Sequence, residues 1–381
     1  MPLNAPFHIL QVVASLRGGA AWHVFWLSSR LQALGHAVEI AAPDDDPPIR
    51  AKILAREIPF HEVPLHSPAP WEAAAFLSHR MAAGGLTHVH AHGHRAASIA
   101  RPARLLVRDA PPLVYTLHGY HPAHYRNSLS RRLFDAWERR LAPLAAAFIC
   151  VSASTRAEFL HAVPSAAPRT YLVENAVPDR ARKAGEIQLL RRTIREALAL
   201  PQDSYVIGAV ARLHWQKGVD RLLQAFHLLC RHRNNLYLLI VGDGPDRARL
   251  EQQAQRLGIA EHCVFTGNRP NAQYLYALMD LFVLPSRWEG LPLTILEAWN
   301  AGTPVIATDV SGSRDLVQHG VNGYLADDSA EGLASAIQRA LHSAHELPAI
   351  VENARRTLSQ RFSLPRMVSQ TEAVYRQVHE T

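Results

Sequence analysis

Short apolar runs alternate along the chain with longer segments whose apolar residues recur every three or four positions. The short runs predict buried strands, and the longer segments predict helices. Strands are predicted over residues 8–14, 37–42, 87–94, 113–118, 148–152, 171–178, 205–211, 236–241, 264–269, 281–285 and 304–309. Helices are predicted over residues 21–34, 71–83, 130–141, 187–200, 272–279 and most of the chain from 330, the last at 367–379. This alternation indicates an α/β fold with parallel, doubly wound sheets.

The length of the chain indicates more than one domain. Its 381 residues, 48% of them hydrophobic, exceed what a single hydrophobic core usually holds. The strand at 171–178 leads into a linker, and the strand–helix alternation restarts near residue 205. We therefore place an N-terminal domain at residues 1–178, a C-terminal domain at 185–364 and a final helix at 365–381.

Composition argues against several classes of protein. No apolar run has the length of a membrane span, and the first residues lack the basic and hydrophobic regions of a signal peptide. The three cysteines, Cys150, Cys230 and Cys263, are scattered and odd in number. They indicate a reducing compartment, with neither a disulfide framework nor a cysteine zinc site. We therefore expect a cytoplasmic protein.

The net charge of +7 is concentrated in the N-terminal half of the chain. Five arginines cluster there, at Arg126, Arg131, Arg132, Arg139 and Arg140. One interpretation is a solvated helix face. The other is attraction to an anionic membrane or to a lipid-diphosphate acceptor, which would place the protein peripherally at the inner face of the cell membrane. Nucleic acid is not an expected partner, because no nucleic-acid-binding module is recognisable.

The most informative motif is Glu289-Gly290-Leu291-Pro292-Leu293-Thr294-Ile295-Leu296-Glu297. It follows a predicted buried strand and leads into a predicted helix, so its two carboxylates belong to one strand–loop–helix unit. Gly290 lets backbone N–H groups approach an anion at the start of that helix. Carboxylates beside free amides suit a ligand with sugar hydroxyls at one end and phosphate at the other. Two unrelated surface glutamates are the alternative.

A second motif places two cations around a strand-to-helix turn. Arg212 ends an apolar strand, and Lys217-Gly218 precedes the next helix. A diphosphate requires cations of this kind to offset its charge. With Glu289 and Glu297 following in order, the chain resembles the retaining glycosyltransferases of family 4. The resemblance covers most of the chain and does not identify the sugar.

The resemblance implies the GT-B fold, in which two Rossmann-like domains with doubly wound parallel sheets face each other across a cleft. It also implies a nucleotide-diphosphate sugar as donor, UDP- or GDP-linked, and a saccharide or lipid-linked acceptor. The final helix would cross back to the N-terminal domain. The expected activity is that of a hexosyltransferase of the cell envelope or of exopolysaccharide synthesis. We expect no cofactor and no metal, because the chain has no Asp-x-Asp motif in the metal-binding context of the other large glycosyltransferase fold.

Several residues of the N-terminal half are candidates for binding the sugar or the acceptor. Gly18 and Gly19 separate the first predicted strand from its helix, and glycines there let backbone approach a ligand, although they also serve plain turns. His118 follows the strand at 113–117, and ligands of open α/β sheets bind at such strand ends. The resemblance implies that His118 touches the donor sugar; a capped core histidine is the alternative. Arg17, His121 and Tyr125 are predicted on the acceptor side.

The histidines of the strand at 87–94 raise a metal hypothesis. His88, His90 and His92 would share one face of that strand. No acidic ligand lies nearby in the sequence, and both faces of the strand should be covered. We therefore predict no metal site.

The resemblance assigns roles to residues of the C-terminal half. Arg212 and Lys217 would stabilise charge on the departing phosphate, Glu289 would accept from hydroxyls of the transferred sugar, and Glu297 from those of the ribose. The loop at Asn268 and Arg269 would contact the nucleobase. Gly242 belongs to a strand–turn–helix, but the third glycine of a dinucleotide fingerprint is missing. The predicted catalytic residues are His118, Glu289, Arg212 and Lys217, and the predicted nucleotide-sugar contacts are Gly18, Gly19, Arg212, Lys217, Gly242, Asn268, Arg269, Glu289, Gly290, Leu291, Pro292, Leu293 and Glu297.

Three other functions remain open at this point. A sugar-nucleotide epimerase of similar build would change the configuration of the free sugar nucleotide without an acceptor. A phosphorylase-like enzyme would require a lysine that carries pyridoxal phosphate. A non-catalytic sugar-nucleotide-binding protein would bind the nucleotide and never turn it over.

Overall fold

The structure is a computed structural model that describes residues 5–67, 69–121, 127–179, 184–231, 233–269 and 272–380. The chain forms two compact units. Unit 1 consists of Met1–Pro178 and Leu364–Thr381, and unit 2 of Asp179–Ser363. Within the described ranges, no helix has both the length and the apolar character needed to cross a bilayer.

Unit 1 is built on a seven-stranded parallel sheet. Its strands are β1 (His8–Val13), β2 (Ala37–Ala42), β3 (Phe60–Glu62), β4 (His88–His92), β5 (Leu113–Leu117), β6 (Ala147–Cys150) and β7 (Thr170–Leu172), in the spatial order β3-β2-β1-β4-β5-β6-β7. The intervening helices are α1 (Gly19–Ala33), α2 (Pro47–Leu54), α3 (Pro70–Ala82), α4 (Gly93–Arg104), α5 (Ser128–Leu141) and α6 (Ala153–Ala162). The central strands are buried throughout because helices cover both faces of a parallel sheet.

Unit 2 is built on a six-stranded parallel sheet in the spatial order β10-β9-β8-β11-β12-β13. Its strands are β8 (Tyr205–Val210), β9 (Leu236–Val241), β10 (Cys263–Phe265), β11 (Leu281–Leu284), β12 (Val305–Thr308) and β13 (Tyr324–Ala326). Its helices are α7 (Ala184–Ala197), α8 (Val219–Cys230), α9 (Arg247–Arg256), α10 (Leu293–Ala301), α11 (Ser311–Arg314), α12 (Ala330–His342) and α13 (Leu347–Arg361).

The last helix, α14 (Leu364–His379), belongs to unit 1. Its Tyr375 is fully buried against the polar side chains of β1 and β4. The imidazole of His36 also lies 3.0 Å from the carboxylate of Glu372 on this helix. The two ends of the chain therefore share one folded unit.

The predicted pair of doubly wound parallel sheets is confirmed, and several local predictions are wrong. The strand predicted to reach residue 94 ends at His92, because Gly93, with φ +79°, begins α4. The helix predicted over 272–279 consists of two 3₁₀ helices, Ala272–Tyr274 and Tyr276–Leu278. Residues Ser311–Arg314, which no predicted helix covers, form the short helix α11. The edge strand β13 was not predicted, since three residues give no clear alternation.

Each sheet has a topological switch point, where the connections leave in opposite directions along the sheet. It lies between β1 and β4 in unit 1 and between β8 and β11 in unit 2. In open α/β sheets, ligands bind beyond the carboxyl ends of the strands at such points. A ligand is therefore expected near the side chains that follow β8 and β11 in unit 2, and near those that follow β1, β4 and the neighbouring β5 in unit 1.

Candidate functional site

The two strands at the switch point of unit 2 carry an ion pair at their carboxyl ends. Lys217, in a 3₁₀ turn after β8, places its Nζ 2.6 Å from Oε1 of Glu289, which follows β11. The hydroxyl of Ser286 donates to the same oxygen at 2.6 Å. Glu289 is 8% exposed, so little water competes with these partners. Within the described residues, no hydrogen bond is made to Oε2 of Glu289, and this oxygen can accept from a ligand.

Backbone and side-chain contacts hold the two loops together around this ion pair. Gln216 donates from Nε2 to the carbonyl of Trp288 at 3.1 Å, and its own carbonyl accepts from the N–H of Arg287 at 2.8 Å. The guanidinium of Arg287 forms a bidentate ion pair with Asp220 at the start of α8, at 2.9 and 2.7 Å. Its position is further fixed by the face of the Trp215 ring, 4.7 Å away. These contacts therefore fix the positions of Lys217 and Glu289 before any ligand binds.

The close approach of the two loops requires a glycine at position 218. Gly218 has φ +64°, and a Cβ there would lie 1.9 Å from the carbonyl oxygen of Pro285. Any side chain would push the loop after β8 away from the loop after β11. The glycine of the Lys217-Gly218 pair is thus explained by backbone packing.

Arg212 lies immediately beyond β8 and is exposed. Among the residues that the structure describes, its guanidinium has no hydrogen-bond or ion-pair partner. Its backbone carbonyl accepts from the N–H of His214, which shapes the turn. Arg212 is therefore a cation that is free to pair with an anionic ligand, whereas Lys217 is already shared with Glu289.

The helix that follows Glu289 begins where an anion could meet its N–H groups. Pro292 is the N-cap of α10 and Leu293 its first residue, and no described side chain caps this end. The first N–H groups of a helix have no partner within it, and they attract negative charge. Gly290 is half-buried, Leu291 is buried, and α11 packs closely behind them: a Cβ on Gly312 would lie 2.5 Å from the Gly290 carbonyl oxygen.

Glu297, on α10, is half-buried and accepts a 2.8 Å hydrogen bond at Oε2 from the hydroxyl of Tyr276. Burial, together with the neighbouring Glu297 carboxylate, raises the pKa of Tyr276 well above its usual value, so the phenol keeps its proton. Tyr276 therefore acts as a fixed donor that orients the carboxylate.

The loops after β9 and β10 lie beside the loop after β8. Gly242 has φ +130°, and a Cβ there would lie 2.0 Å from the carbonyl oxygen of Ala211. Its N–H donates to the Gly267 carbonyl at 2.9 Å, and Asn268 and Arg269 follow as exposed residues. Packing against Ala211 accounts for the glycine at 242 without a ligand. Arg269 also lines a cavity of about 320 Å³ beside α7.

In unit 1, the loop after β1 is held by a single carboxylate. Asp45 accepts from the hydroxyl of Ser15 at 2.6 Å and from the N–H of Leu16 at 2.7 Å. The Nε of Arg17 donates to the carbonyl of Asp45 at 2.7 Å. Arg17 is exposed, but these bonds hold it to the loop after β2. Gly18, with φ +81°, is the N-cap of α1, which begins at Gly19 without a described side-chain cap.

His118, directly after β5, belongs to a cluster of imidazoles. Its Nε2 lies 3.3 Å from Nδ1 of His92 at the end of β4, and its ring packs edge-on against His23 of α1 at 4.9 Å. His121 is half-buried, and its Nε2 lies 4.0 Å from the carboxylate of Glu158. Tyr125 lies outside the described residues. The structure thus places His118 in a defined cluster and His121 separately near α6.

Burial makes the cluster neutral. It lowers the pKa of His92 and of His118 well below the usual value, and neighbouring histidines lower both further. It also lowers the pKa of His23 to about 4, against a hydrogen bond to Asn175 that acts in the opposite direction. At neutral pH each of these imidazoles therefore carries one proton and offers one bare nitrogen.

Only this cluster, among the described residues, brings three metal-ligating side chains together. The ligand atoms of His23, His92 and His118 lie within 4.8 Å of one another. The nitrogens of a tetrahedral zinc site lie roughly 3.3 Å apart, because Zn–N bonds measure about 2.0–2.1 Å. The strand trio considered from the sequence does not converge in this way, since His88 bonds to the Tyr375 carbonyl and His90 to Thr116. The prediction that no metal is used stays a prediction.

Sequence reasoning missed several residues that build these sites. In unit 2 these are Ser286, Gln216 and Arg287, which lie inside the quoted motifs or next to them but carry no distinctive pattern. In unit 1 they are Gln11 and Tyr375, which lie 364 positions apart. A polar residue in the middle of the apolar run 8–14 was the one available signal for Gln11.

Two family models match the chain. The model described as Glycosyl transferases group 1 matches residues 191–357, and the model described as Glycosyltransferase Family 4 matches residues 17–180. The 2-deoxystreptamine glucosyltransferase of Streptomyces kanamyceticus is 32% identical over 312 residues, which cover 77% of this chain and 79% of that protein. An uncharacterized glycosyltransferase of Methanocaldococcus jannaschii is 31% identical over 185 residues, covering 48% of this chain and 47% of that protein.

The fold also matches a solved structure. The crystal structure of HepE from Anabaena, in complex with UDP and glucose, is similar with a TM-score of 0.82. The match covers 96% of this chain and 98% of HepE at 24% sequence identity. This likeness establishes the fold.

Proposed function

The chain belongs to the family 4 glycosyltransferases of the GT-B fold, and we propose that it moves a sugar from a nucleotide-diphosphate sugar to a hydroxyl of a saccharide or lipid-linked saccharide. The donor would be UDP- or GDP-linked, the sugar a hexose, and the anomeric configuration retained. The observation that carries the proposal is the Lys217–Glu289 ion pair at the switch point of unit 2. Arg212, whose guanidinium has no partner among the described residues, lies in the same segment after β8 as Lys217.

Each part of this site supplies one element of diphosphate-sugar recognition. Arg212 offers a full set of guanidinium donors, and Lys217 has two N–H groups left after its bond to Glu289. Both would pair with the diphosphate, and the start of α10 would add backbone N–H groups. The free Oε2 of Glu289 would accept from hydroxyls of the transferred sugar, and Glu297 from those of the ribose. In unit 1, His118 would accept from a sugar hydroxyl.

Catalysis follows from charge stabilisation. When the bond between the anomeric carbon and the phosphate oxygen breaks, negative charge grows on the phosphate, and cations fixed beside it stabilise the transition state more than the ground state. A charge-assisted hydrogen bond of this type contributes about 1.5–3 kcal/mol. The acceptor oxygen would bond to the same face of the anomeric carbon, and its proton would pass to the departing phosphate. No covalent nucleophile and no metal are required in this scheme.

The relatives favour a biosynthetic setting. The relative from Streptomyces kanamyceticus is named as a glucosyltransferase of 2-deoxystreptamine, and LpsD of Rhizobium meliloti is named for lipopolysaccharide core biosynthesis. The HepE structure contains UDP and glucose. We propose polysaccharide or glycolipid assembly as the setting of this chain and place UDP-glucose first among the donors to be tested.

The test is nucleotide release from UDP-, GDP- and ADP-sugars by the wild type and by Glu289→Ala. Release from one donor that is lost in the variant would identify the donor and support the site. An epimerase would instead change the configuration of the free sugar nucleotide without releasing nucleotide. A binding protein would show a thermal shift with the bare nucleotide and no release with any acceptor added.

We also propose that α5 docks on an anionic membrane surface. The acidic side chains of this helix face inward: Asp135 accepts from the hydroxyl of Tyr120 at 2.7 Å, and Glu138 forms a buried bidentate ion pair with Arg101 at 2.8 Å. Three of its apolar side chains face outward instead, with exposed fractions of 64% for Leu129, 64% for Leu133 and 48% for Trp137.

The spacing of these side chains places them on one face of α5 that is suited to binding a membrane. Leu129, Leu133 and Trp137 recur every four positions and therefore lie on one side of the helix. Arg132 and Arg140 are exposed on the same side, and neither has a partner among the described residues. A helix with leucine and tryptophan between arginines is typical of binding in the plane of an anionic bilayer. Such docking would bring the enzyme to a lipid-linked acceptor.

A further inference from the structure

We propose that Gln11 and Tyr375 are positioning residues that act on His118 through His92. They hold the His118 imidazole as its Nε2–H tautomer, which leaves Nδ1 as a hydrogen-bond acceptor for a hydroxyl of the ligand. That this hydroxyl belongs to a sugar rests on the proposed function. The tautomer of His118 does not depend on that function.

A continuous line of hydrogen bonds connects these side chains. Nε2 of His118 lies 3.3 Å from Nδ1 of His92, and Nε2 of His92 lies 2.7 Å from Oε1 of Gln11. Nε2 of Gln11 lies 3.3 Å from the hydroxyl of Tyr375. That hydroxyl lies 2.6 Å from Nδ1 of His90, whose Nε2 lies 2.7 Å from the hydroxyl of Thr116.

The direction of this line is set at Tyr375. Hydroxyl donors give contacts of about 2.5–3.0 Å, whereas N–H donors to oxygen typically give about 2.7–3.2 Å. The 2.6 Å contact to His90 is shorter than the N–H range, so we assign the tyrosine proton to it. The 3.3 Å contact to Gln11 exceeds the O–H range, so we assign it to a long bond from the amide N–H to the phenol oxygen. The amide of Gln11 consequently turns its oxygen toward His92.

The remaining protons follow from that orientation. The oxygen of Gln11 can only accept, so Nε2 of His92 must donate and Nδ1 of His92 is bare. A bare Nδ1 accepts from His118, so the His118 proton is on Nε2. Nδ1 of His118 has no partner among the described residues and is available to a ligand.

Burial excludes other hydrogen-bond partners and other protonation states for these side chains. Gln11, His90 and Tyr375 are fully buried and His92 is 2% exposed, so water cannot substitute for a missing partner. Burial also lowers the pKa of His90, His92 and His118 well below the usual value, which keeps one proton on each ring. With one proton per ring, the orientation of one amide determines the tautomer of every histidine in the line.

Turning the Gln11 amide would reverse every bond. Its N–H would then donate to His92, His92 would donate to His118, and the His118 proton would move to Nδ1. Nδ1 of His118 would then become a donor. A hydroxyl of the ligand could accept from it, but only in a different orientation. Removing the Tyr375 hydroxyl removes the partner that selects between the two directions.

The direct test is the ¹⁵N spectrum of the full chain labelled at histidine, in the presence of EDTA, with His118 assigned from a His118→Gln spectrum. The wild type is expected to show His118 protonated at Nε2. Tyr375→Phe keeps the volume of the ring and is expected to produce a mixture of both tautomers. The control is Thr371→Val, which removes another buried hydroxyl of α14; within the described part of the chain, this hydroxyl bonds only to the Met367 carbonyl of its own helix, at 2.8 Å.

Two results would overturn the proposal: a wild-type His118 protonated at Nδ1, or an unchanged tautomer in Tyr375→Phe. If Tyr375→Phe does not fold, Gln11→Met tests the same step, because it removes the oxygen that fixes His92. A transferase readout then tests the consequence. We expect Tyr375→Phe to lower kcat roughly tenfold, with the KM for the donor unchanged, the lower end of the scale seen when a partner behind a metal-ligating histidine is removed.

The kinetic and the spectroscopic experiment test different claims, so one can contradict its claim without the other. Thr371→Val should keep kcat within twofold of the wild type. An equal loss in both variants would show that the effect is structural and would overturn the positioning role. If the chain releases no nucleotide from any donor, the proposed function fails while the histidine spectra still decide the tautomer.

Discussion

The ammonium group of Lys217 lies 2.6 Å from Oε1 of Glu289, and this contact joins the ends of two adjacent strands, β8 and β11, across 72 positions of sequence. The sequence motifs assign these residues to different parts of a ligand. In the folded unit they form one element, in which the lysine orients the carboxylate and retains N–H groups for a phosphate.

We expect Lys217→Ala and Glu289→Ala each to reduce turnover by about 100-fold or more, the scale seen when one transition-state partner is removed. The measurement is the rate of nucleotide release with the donor that the wild type uses. Glu196→Ala is the matched control, since it breaks the exposed Arg192–Glu196 pair of α7 at 3.2 Å. Near-wild-type rates in either site variant would contradict the assignment.

Gly218→Ala should destabilise unit 2 and impair nucleotide binding. A left-handed backbone costs a residue with a Cβ about 1–2 kcal/mol, and here the Cβ also meets the Pro285 carbonyl at 1.9 Å. Gly258→Ala is the control, because Gly258 has φ +68° and a Cβ there meets nothing within 4 Å. In urea unfolding, the midpoint should fall more for Gly218→Ala. Equal shifts would show that only the backbone angle matters.

Stability should fall as the pH falls below about 6.5. Burial lowers the pKa of His88 from its usual 6.5 to about 4, so between these values the unfolded chain binds a proton that the folded chain does not. Each such histidine adds about 1.4 kcal/mol per pH unit to the slope of unfolding free energy. His88→Gln should flatten this slope in urea titrations at pH 7, 6 and 5, whereas His345→Gln, at an exposed position, should not.

Docking of α5 predicts co-sedimentation with anionic vesicles and little binding to zwitterionic ones. Leu133→Asp with Trp137→Asp should abolish it, because the apolar side chains would no longer enter the bilayer. Arg132→Gln with Arg140→Gln should weaken it and reduce its dependence on salt. Leu189→Asp, on the equally exposed Leu189 of α7, is the control. Binding that is indifferent to anionic lipid would contradict the proposal.

Excess EDTA should leave the rate of transfer unchanged. Arg212 and Lys217 supply the positive charge that a divalent ion would otherwise place on the diphosphate. The measurement is nucleotide release with and without EDTA, followed by addition of Mg²⁺ or Mn²⁺. A rate that is lost with EDTA and restored by either ion would overturn the metal-independent scheme.

Much of the fold could be predicted from the sequence because the patterns of strands and helices are local. The run at 37–42 coincides with β2, and the run at 281–285 differs from β11 by one residue. The family resemblance, drawn from Arg212, Lys217, Glu289 and Glu297, is confirmed by the two family models. Errors arose where a few residues decide a boundary, as at Gly93, or where a segment is too short to show a period, as in β13.

The orientation of α5 could not be predicted from its pattern. The sequence indicates an amphipathic helix with a basic face, and ordinary burial would turn Leu129, Leu133 and Trp137 inward. The structure turns Asp135 and Glu138 inward because Tyr120 and Arg101, on other elements, provide partners for them. A local pattern contains no information about partners that the fold brings from elsewhere.

The sequence by itself determined the alternation of strands and helices, the family and the residue types at the ends of β5, β8 and β11. Only the tertiary structure decided which of these side chains meet. Strand order places β8 beside β11, so Lys217 reaches Glu289, and α14 returns to unit 1, so Tyr375 reaches Gln11. Periodicity reports the surroundings of a residue within its own element, whereas contacts between elements depend on the order in which the chain assembles its sheets.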